Sequence, residues 1–215
     1  MVTLIRISPA NETAGLNDSG KLKAVIIDQL YAFDQPNQEF VREVTDTLES
    51  YGFKVDLYQG DEVTVDLYRK LPEHGYKLIV LRTHSGIIEG QVSARQKTSL
   101  FTAERYSRTK YVKEQLREEL AMATVSEESP FYFAIDSKFI TNRMEGQFND
   151  TVLIISGCSC LYLHDLAQGF TDRGASACLA WDGAVRLDYL DDATVALIEN
   201  LCIEGLTIDK AVAQT

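Results

Sequence analysis

The sequence predicts an α/β fold, a three-layer sandwich in which a mostly parallel sheet is flanked by helices. Short aliphatic runs alternate with segments whose apolar residues recur at helical spacing. The connections between them are short, and such alternation is typical of parallel sheets that helices cover on both faces. The chain of 215 residues is 45% hydrophobic and 25% charged, which suits a globular domain of ordinary composition.

Five aliphatic runs predict the strands of this sheet. They cover residues 23–28, 53–58, 76–82, 151–155 and 175–181, and we expect them to pair in the order 2-1-3-4-5. A further short strand is predicted within residues 2–7, inside an irregular arm that covers residues 1–20.

Helices are predicted between the strands from apolar periodicity and from end signals. The first has apolar residues at helical spacing from Phe40 to Tyr51 and ends at Gly52. A short helix over residues 65–71 ends before Pro72. Three more are predicted after the fourth strand, over residues 161–173, residues 191–205 and a segment that begins at Ile208.

Residues 87–150 are predicted to be an insertion, an active-site loop region, within a single domain that covers residues 1–215. Within the insertion, residues 86–106 are predicted to be a loop and residues 110–123 a helix. Residues 131–140 are predicted to form a strand with a turn at Asp136-Ser137.

The charge balance and the apolar pattern exclude several classes of partner. The net charge of −11 argues against nucleic acid and against an anionic membrane surface, which both require a basic face. No apolar stretch approaches the roughly 20 residues of a membrane span. The first residues lack the basic segment and apolar run of a secretory signal, so we predict a cytoplasmic protein.

The cysteines are predicted to be reduced in that compartment. Cys158 and Cys160 are close in sequence, but His164 is the only histidine near them, which disfavours a four-ligand zinc site. Cys178 and Cys202 fall in apolar patterns and are predicted to lie in the core. No Gly-x-Gly-x-x-Gly follows the first strand, so a dinucleotide cofactor is not indicated. Neither a metal nor a cofactor is therefore predicted.

Two of the predicted strands end in residues suited to nucleophilic catalysis. His84 follows the third strand, and Cys158 follows the fourth. If these strands are neighbours, both side chains meet in the crevice beyond the carboxyl ends of the strands. A cysteine thiol needs a base to become a thiolate near neutral pH, and histidine suits that role. The backbone N–H groups of Ser85, Gly86 and Cys158 are candidates for an oxyanion hole.

The blocks Leu78-Ile-Val-Leu-Arg-Thr-His84 and Val152-Leu-Ile-Ile-Ser-Gly-Cys158 resemble the two motifs of clan CD cysteine peptidases, the caspase–gingipain–CHAT group. In that group a hydrophobic strand precedes His-Gly, and a later strand precedes a small residue and the nucleophilic Cys. Residues 166–181 and 191–201 resemble the segments that follow this Cys in the CHAT and gingipain branch. The resemblance covers roughly residues 22–215 and is weakest across 87–150.

The resemblance implies a caspase-like fold and a cysteine endopeptidase that hydrolyses peptide bonds of a protein or peptide substrate through a His84–Cys158 dyad, without a cofactor. Ser85 stands where the family usually has Gly, and Gly86 comes one residue later. Cys158 is favoured over Cys160 as the nucleophile, because Cys158 follows the strand and its small residue directly. Cys160 is then either a pocket-wall residue or a core thiol.

Three residues are candidates for the substrate pocket. Trp181 either lines the pocket for the residue before the scissile bond, as the resemblance implies, or caps the sheet. Asp28 and Asp182 lie at strand ends and are candidate partners for a basic substrate side chain, although each also suits a turn. We therefore expect a mild preference for Arg or Lys before the scissile bond.

Two further functions stay open at the sequence level. One is a catalytically inactive caspase-like module that serves in interaction or regulation, which the replacement of Gly by Ser85 would suit. The other is a receiver- or flavodoxin-like binding domain that uses the same crevice, which the lack of a phosphate loop disfavours. The loop at residues 105–110 is either a self-cleavage site or simply solvated.

Overall fold

The protein is described from a computed structural model, which covers residues 22–89 and 96–215 and the backbone of one earlier strand, Leu4–Ile7. The strands of the described chain are β1 (Leu4–Ile7), β2 (Lys23–Asp28), β3 (Lys54–Gln59), β4 (Leu78–Arg82), β5 (Ser85–Glu89), β6 (Gln96–Arg105), β7 (Leu120–Ala123), β8 (Tyr132–Asp136), β9 (Thr151–Ser156) and β10 (Ala175–Trp181). The α-helices are α1 (Gln38–Tyr51), α2 (Val65–Lys70), α3 (Val112–Leu116), α4 (Ser137–Arg143), α5 (Asp165–Asp172), α6 (Leu187–Cys202) and α7 (Ile208–Gln214).

The central sheet has the order β1-β10-β9-β4-β2-β3. Five of its strands are parallel, and β1 pairs antiparallel with β10. The α/β class and the predicted order 2-1-3-4-5 are both confirmed, since that order is β3-β2-β4-β9-β10. Apart from β1, the irregular arm predicted for residues 1–20 lies outside the described residues.

Both faces of the central sheet are covered, and alternate residues of each strand supply the two cores. In β4, Leu78 and Val80 pack with residues of α1, α6 and α7. Ile79 and Leu81 pack on the other face, with residues of α2, α4, α5 and the second sheet. All four side chains are 0% exposed, as expected for a central strand of a parallel sheet.

The insertion contains a second, antiparallel sheet with the order β5-β6-β8-β7. The prediction of a loop over residues 86–106 was therefore wrong for residues 86–89 and 96–105, while residues 90–95 lie outside the described residues. The strand β6 resembles a loop in sequence because its buried stretch contains polar residues, two of which have distant partners. Lys97 donates to Asp136 Oδ2 at 2.8 Å, and Thr102 Oγ1 donates to the Phe133 carbonyl oxygen at 2.8 Å.

The predicted helix over residues 110–123 was mostly wrong, since it is replaced by the short α3 and the strand β7. The strand predicted over residues 131–140 ends at Asp136, where α4 begins. The Asp136 side chain accepts a hydrogen bond from Phe139 N at 3.0 Å, which is the N-cap of that helix.

Two later helices begin at positions other than those predicted. The helix α5 begins at Asp165 because His164 adopts a left-handed φ of 57°. The helix α6 begins four residues earlier than the predicted start at 191 and ends at Cys202. In the described part of the chain, no helix combines the length and the apolar character needed to cross a bilayer.

Candidate functional site

His84 and Cys158 follow adjacent strands of the central sheet. The parallel pair β4 and β9 sets Arg82 opposite Ser156, and Thr83 N donates to the Ser156 carbonyl oxygen at 3.1 Å. His84 and Cys158 each lie two residues beyond that pair. The expectation that their strands are neighbours is confirmed, and both residues lie at the carboxyl edge of the sheet.

The His84 side chain is half-buried and packed between aromatic rings. The centroid of its imidazole lies 5.0 Å from that of Phe33, in an edge-on arrangement, and 6.0 Å from that of Phe101. Its backbone N–H donates to Gln29 Oε1 at 2.9 Å, which fixes the chain at this point. Burial, assisted by the Arg82 charge, lowers the pKa of His84, so the imidazole is neutral at pH 7 and can accept a proton.

Cys158 is half-buried, whereas the other three cysteines are buried. Burial raises the pKa of Cys160 to about 12 and that of Cys202 to about 11, and it also raises the pKa of Cys178. A thiol that is both enclosed and protonated is a poor nucleophile. Cys158 and Cys160 were the two candidates for the nucleophile, and Cys160 is the one that lies in the core.

The thiol of Cys158 and the ring of His84 have different neighbours in this structure. Cys158 Sγ lies 3.5 Å from both the backbone N and the carbonyl oxygen of Val185. Within the described residues, no hydrogen bond joins this thiol to the His84 imidazole. The fold brings the two residues to the same edge of the sheet without a direct contact between their reacting atoms.

Ser85 holds the segment that carries Cys158. Its hydroxyl donates to the Cys158 carbonyl oxygen at 2.7 Å and lies 3.1 Å from Cys160 Sγ, which donates to it. The Ser85 side chain therefore joins the segment after β4 to the turn that carries Cys158.

Gly157 allows this close approach. A Cβ atom at Gly157 would lie 2.5 Å from Ser85 Oγ and 2.8 Å from the Thr83 carbonyl oxygen. On the other side of Cys158, Ser159 adopts a left-handed φ of 56°, and its N–H donates to the Gly183 carbonyl oxygen at 2.9 Å. A left-handed conformation is uncommon for a residue with a Cβ, and such strain concentrates at functional sites.

The backbone donors predicted for an oxyanion hole differ in availability. The pairing of Ser85 with Leu100 commits the Gly86 N–H to the β5–β6 ladder, while the Ser85 N–H points away from β6. The Cys158 N–H makes no hydrogen bond to any described residue. Of the three predicted donors, Ser85 and Cys158 are free of the ladder.

The structure places the three pocket candidates differently. Asp28 is 0% exposed and forms an ion pair with Arg82, so it is not open to a substrate side chain. Trp181 is buried at the end of β10, where it packs with Leu190 and other residues around the start of α6. This packing corresponds to the sheet-capping alternative. Asp182 is half-buried in the turn that follows.

The sequence analysis missed a buried ion cluster centred on Arg82, which is 1% exposed. Its Nε and Nη2 atoms donate to the two oxygens of Asp191 at 2.8 and 2.9 Å. Its Nη1 atom donates to Asp28 Oδ1 at 2.9 Å and to the Gln35 carbonyl oxygen at 2.8 Å. Burial raises the pKa of Asp28 even though the Arg82 charge opposes that shift. An Arg at the end of an aliphatic strand was the available sequence signal, but nothing in the spacing indicated Asp191.

A cleft of about 480 Å³ lies on the His84 side of this edge. It is lined by residues of the 3₁₀ segment after β2, among them Phe33 and Asp34, and by residues of the second sheet, among them Arg105 and Tyr132. His84 is among the described residues that line the cleft, and Cys158 is not.

The described residues contain no group of three or more His, Cys, Asp or Glu side chains that could hold a metal ion. Comparisons of the sequence with models of known protein families and with curated proteins found no match. The resemblance to clan CD peptidases therefore depends on the two motifs and on the segments that follow Cys158.

Proposed function

We propose that this protein is a caspase-like cysteine endopeptidase of clan CD, with Cys158 as nucleophile and His84 as base. The observation that carries the proposal is the adjacency of β4 and β9, because their in-register pairing gives His84 and Cys158 equivalent positions at the sheet edge where α/β proteins bind ligands. The accessibility of Cys158, in contrast to the three buried cysteines, supports the same assignment.

In the proposed reaction, His84 accepts the proton of the Cys158 thiol, and the sulfur attacks the carbonyl carbon of the substrate. The tetrahedral oxyanion accepts hydrogen bonds from the Ser85 and Cys158 N–H groups. His84 then gives its proton to the amine as the C–N bond breaks, which leaves a thioester on Cys158. Water hydrolyses the thioester, releases the carboxylic acid and restores the thiol.

Substrate binding has to separate Cys158 Sγ from the Val185 backbone before this reaction can start. The thiol is then free to turn toward the imidazole, which apo structures of cysteine catalysts often hold out of hydrogen-bond contact. We also propose a reducing compartment such as the cytoplasm, since all four cysteines are free thiols.

The test is covalent labelling with a peptide chloromethyl ketone followed by mass spectrometry. We expect modification of Cys158 in the wild-type protein, and labelling at least about 100-fold slower for His84→Ala, because general-base assistance is worth roughly 10²–10⁴ in rate. The matched control is His164→Ala, which removes an exposed histidine and leaves the labelling rate unchanged. The proposal fails if Cys158 is not labelled, if Cys160 is labelled instead, or if His84→Ala reacts at the wild-type rate.

A second candidate is a catalytically inactive caspase-like interaction module. It is favoured by one observation, the packing of the His84 ring against Phe33 and Phe101 while the Cys158 thiol contacts Val185. For such a module, the rate of Cys158 labelling would be independent of His84, and no peptide of a mixed library would be cleaved.

A further inference from the structure

The cleft beside His84 has a continuous aromatic wall that leads to a cation. The Phe33 ring centroid lies 5.0 Å from that of His84 and 4.5 Å from that of Tyr132. The Arg105 guanidinium lies over the Tyr132 ring, 4.8 Å from its centroid. Arg105 and Tyr132 are also cross-strand partners in β6 and β8, so the cation is positioned by the second sheet.

Arg105 is exposed and forms no ion pair with any described residue. Arg69, Arg82 and Arg143, by contrast, each pair with a carboxylate within 4.0 Å. A guanidinium that is held over an aromatic face and keeps its N–H groups free presents a planar set of donors that matches a carboxylate. Asp34 also lines the cleft, so a carboxylate and the Arg105 guanidinium both border it.

We propose that this cleft binds the part of the peptide that follows the scissile bond, and that Arg105 selects an acidic side chain there. The inference rests on the proposed function, in which His84 gives a proton to the leaving amine. The leaving peptide must then lie on the His84 side, while the acyl part stays on Cys158, which does not line the cleft.

The distance along the wall limits which substrate residue meets Arg105. Three ring-to-ring or ring-to-cation steps, of 5.0, 4.5 and 4.8 Å, separate His84 from the guanidinium. An extended peptide advances about 3.3–3.6 Å per residue, so Arg105 reaches an acidic side chain within about the first four residues after the scissile bond.

The experiment measures peptide binding to the Cys158→Ala protein by fluorescence anisotropy at low salt. The two labelled peptides differ only at four consecutive positions, which are Glu in one and Gln in the other. We expect the Glu peptide to bind at least five times more tightly, and the preference to disappear when Arg105→Glu is added. Asp34→Asn is expected to strengthen binding of the Glu peptide about two-fold, because it removes a like charge from the lining of the cleft.

Arg108→Glu is the matched control, since it makes the same charge change at an exposed residue of the same segment, outside the cleft. It should retain the preference for the Glu peptide. Equal binding of the two peptides, no binding of either, or an unchanged preference in Arg105→Glu would each overturn the inference.

The outcomes for the cleft and for catalysis are separable. A chloromethyl ketone carries no residue after the scissile bond, so its reaction with Cys158 does not involve the cleft. A Glu preference that depends on Arg105, without labelling of Cys158, would support the acidic-peptide site and contradict the proposed peptidase activity. Labelling that depends on His84, without a Glu preference, would contradict only the proposal that the cleft binds an acidic peptide segment.

Discussion

Gly157 is the residue on which the position of the Cys158 thiol depends. It lies between the last residue of β9 and the cysteine, and the Ser85 hydroxyl and the Thr83 carbonyl oxygen occupy the space where its Cβ would be. The contact from Ser85 to the Cys158 carbonyl oxygen is possible only at this separation. Because Gly157 has no side chain, the segment from Thr83 to Ser85 can approach the turn that carries Cys158 this closely.

The substitution Gly157→Ala is expected to lower the free energy of unfolding by about 1–3 kcal/mol, as overpacking in a tight site usually does. It should also slow chloromethyl ketone labelling of Cys158. Gly86→Ala is the control for stability, because a Cβ there has no heavy atom within 4 Å and the change should stay within about 0.5 kcal/mol. Urea denaturation measures both, and equal losses for the two variants would contradict this account of Gly157.

At the scale of single residues, positions along the chain were predictable from the sequence, but side-chain directions were not. The strand ends at His84 and Cys158 were predictable because each follows an unbroken aliphatic run. The burial of Cys160 and the contacts of the Ser85 hydroxyl were not, since both depend on the direction in which a short turn points its side chains. Sequence gives the order of residues in such a turn but not its dihedral angles.

The Arg82 ion cluster acts at the scale of elements, because it ties three of them together. Arg82 belongs to β4, Asp28 to β2 and Asp191 to α6, and each of these side chains is buried. Burial of charge is costly, so the cluster stabilises the fold only while its partners remain in place. It lies at the carboxyl end of β4, two residues before His84, and the Arg82 charge adds to the effect of burial in lowering the pKa of that histidine.

Removal of one partner of Arg82 is therefore expected to lower the free energy of unfolding strongly. Asp191→Ala should lower the free energy of unfolding by about 3 kcal/mol or more, since it leaves a buried guanidinium with a single carboxylate. Asp188→Ala, on the same helix, removes an exposed ion pair in which the Arg186 and Asp188 side chains are 84% and 61% exposed, and it should change the free energy of unfolding very little. Chemical denaturation compares the two, and similar costs would show that the cluster adds nothing beyond a surface pair.

Whether an element was predictable depended on how its strand is buried. The inner parallel strands were found because both of their faces are buried and mostly apolar, as in β4. In contrast, β6 carries Lys97, Thr98 and Ser99 into buried positions, so its pattern resembles a polar loop. The ion pair from Lys97 to Asp136 crosses 39 residues of sequence and leaves no local signal.

At the scale of the whole molecule, the insertion shares its core with the central sheet. One continuous cluster of buried side chains contains Leu153 and Cys178 of the central sheet together with Leu100 and Phe133 of the second. Such a shared core favours cooperative unfolding of the two sheets.

Phe133→Ala is accordingly expected to destabilise the entire chain by about 3–5 kcal/mol while unfolding stays a single transition. Phe131→Ala is the matched control, because that side chain is 47% exposed and two residues away, and its loss should cost about 1 kcal/mol or less. Near-UV circular dichroism and calorimetry should agree on one midpoint. An early transition confined to the second sheet would instead define it as a separate unit.

During synthesis of the chain, Arg82 gains its two carboxylate partners at different times. The two residues that Arg82 joins lie 54 positions before it and 109 positions after it. At a synthesis rate of about 5–20 residues per second, Asp191 follows Arg82 out of the ribosome after roughly 5–20 s. Throughout that interval, a nascent chain that buried β4 would enclose a guanidinium with only one of its two carboxylates. The synthesis of α6 therefore supplies the second carboxylate for Arg82, close to the sheet edge that carries His84 and Cys158.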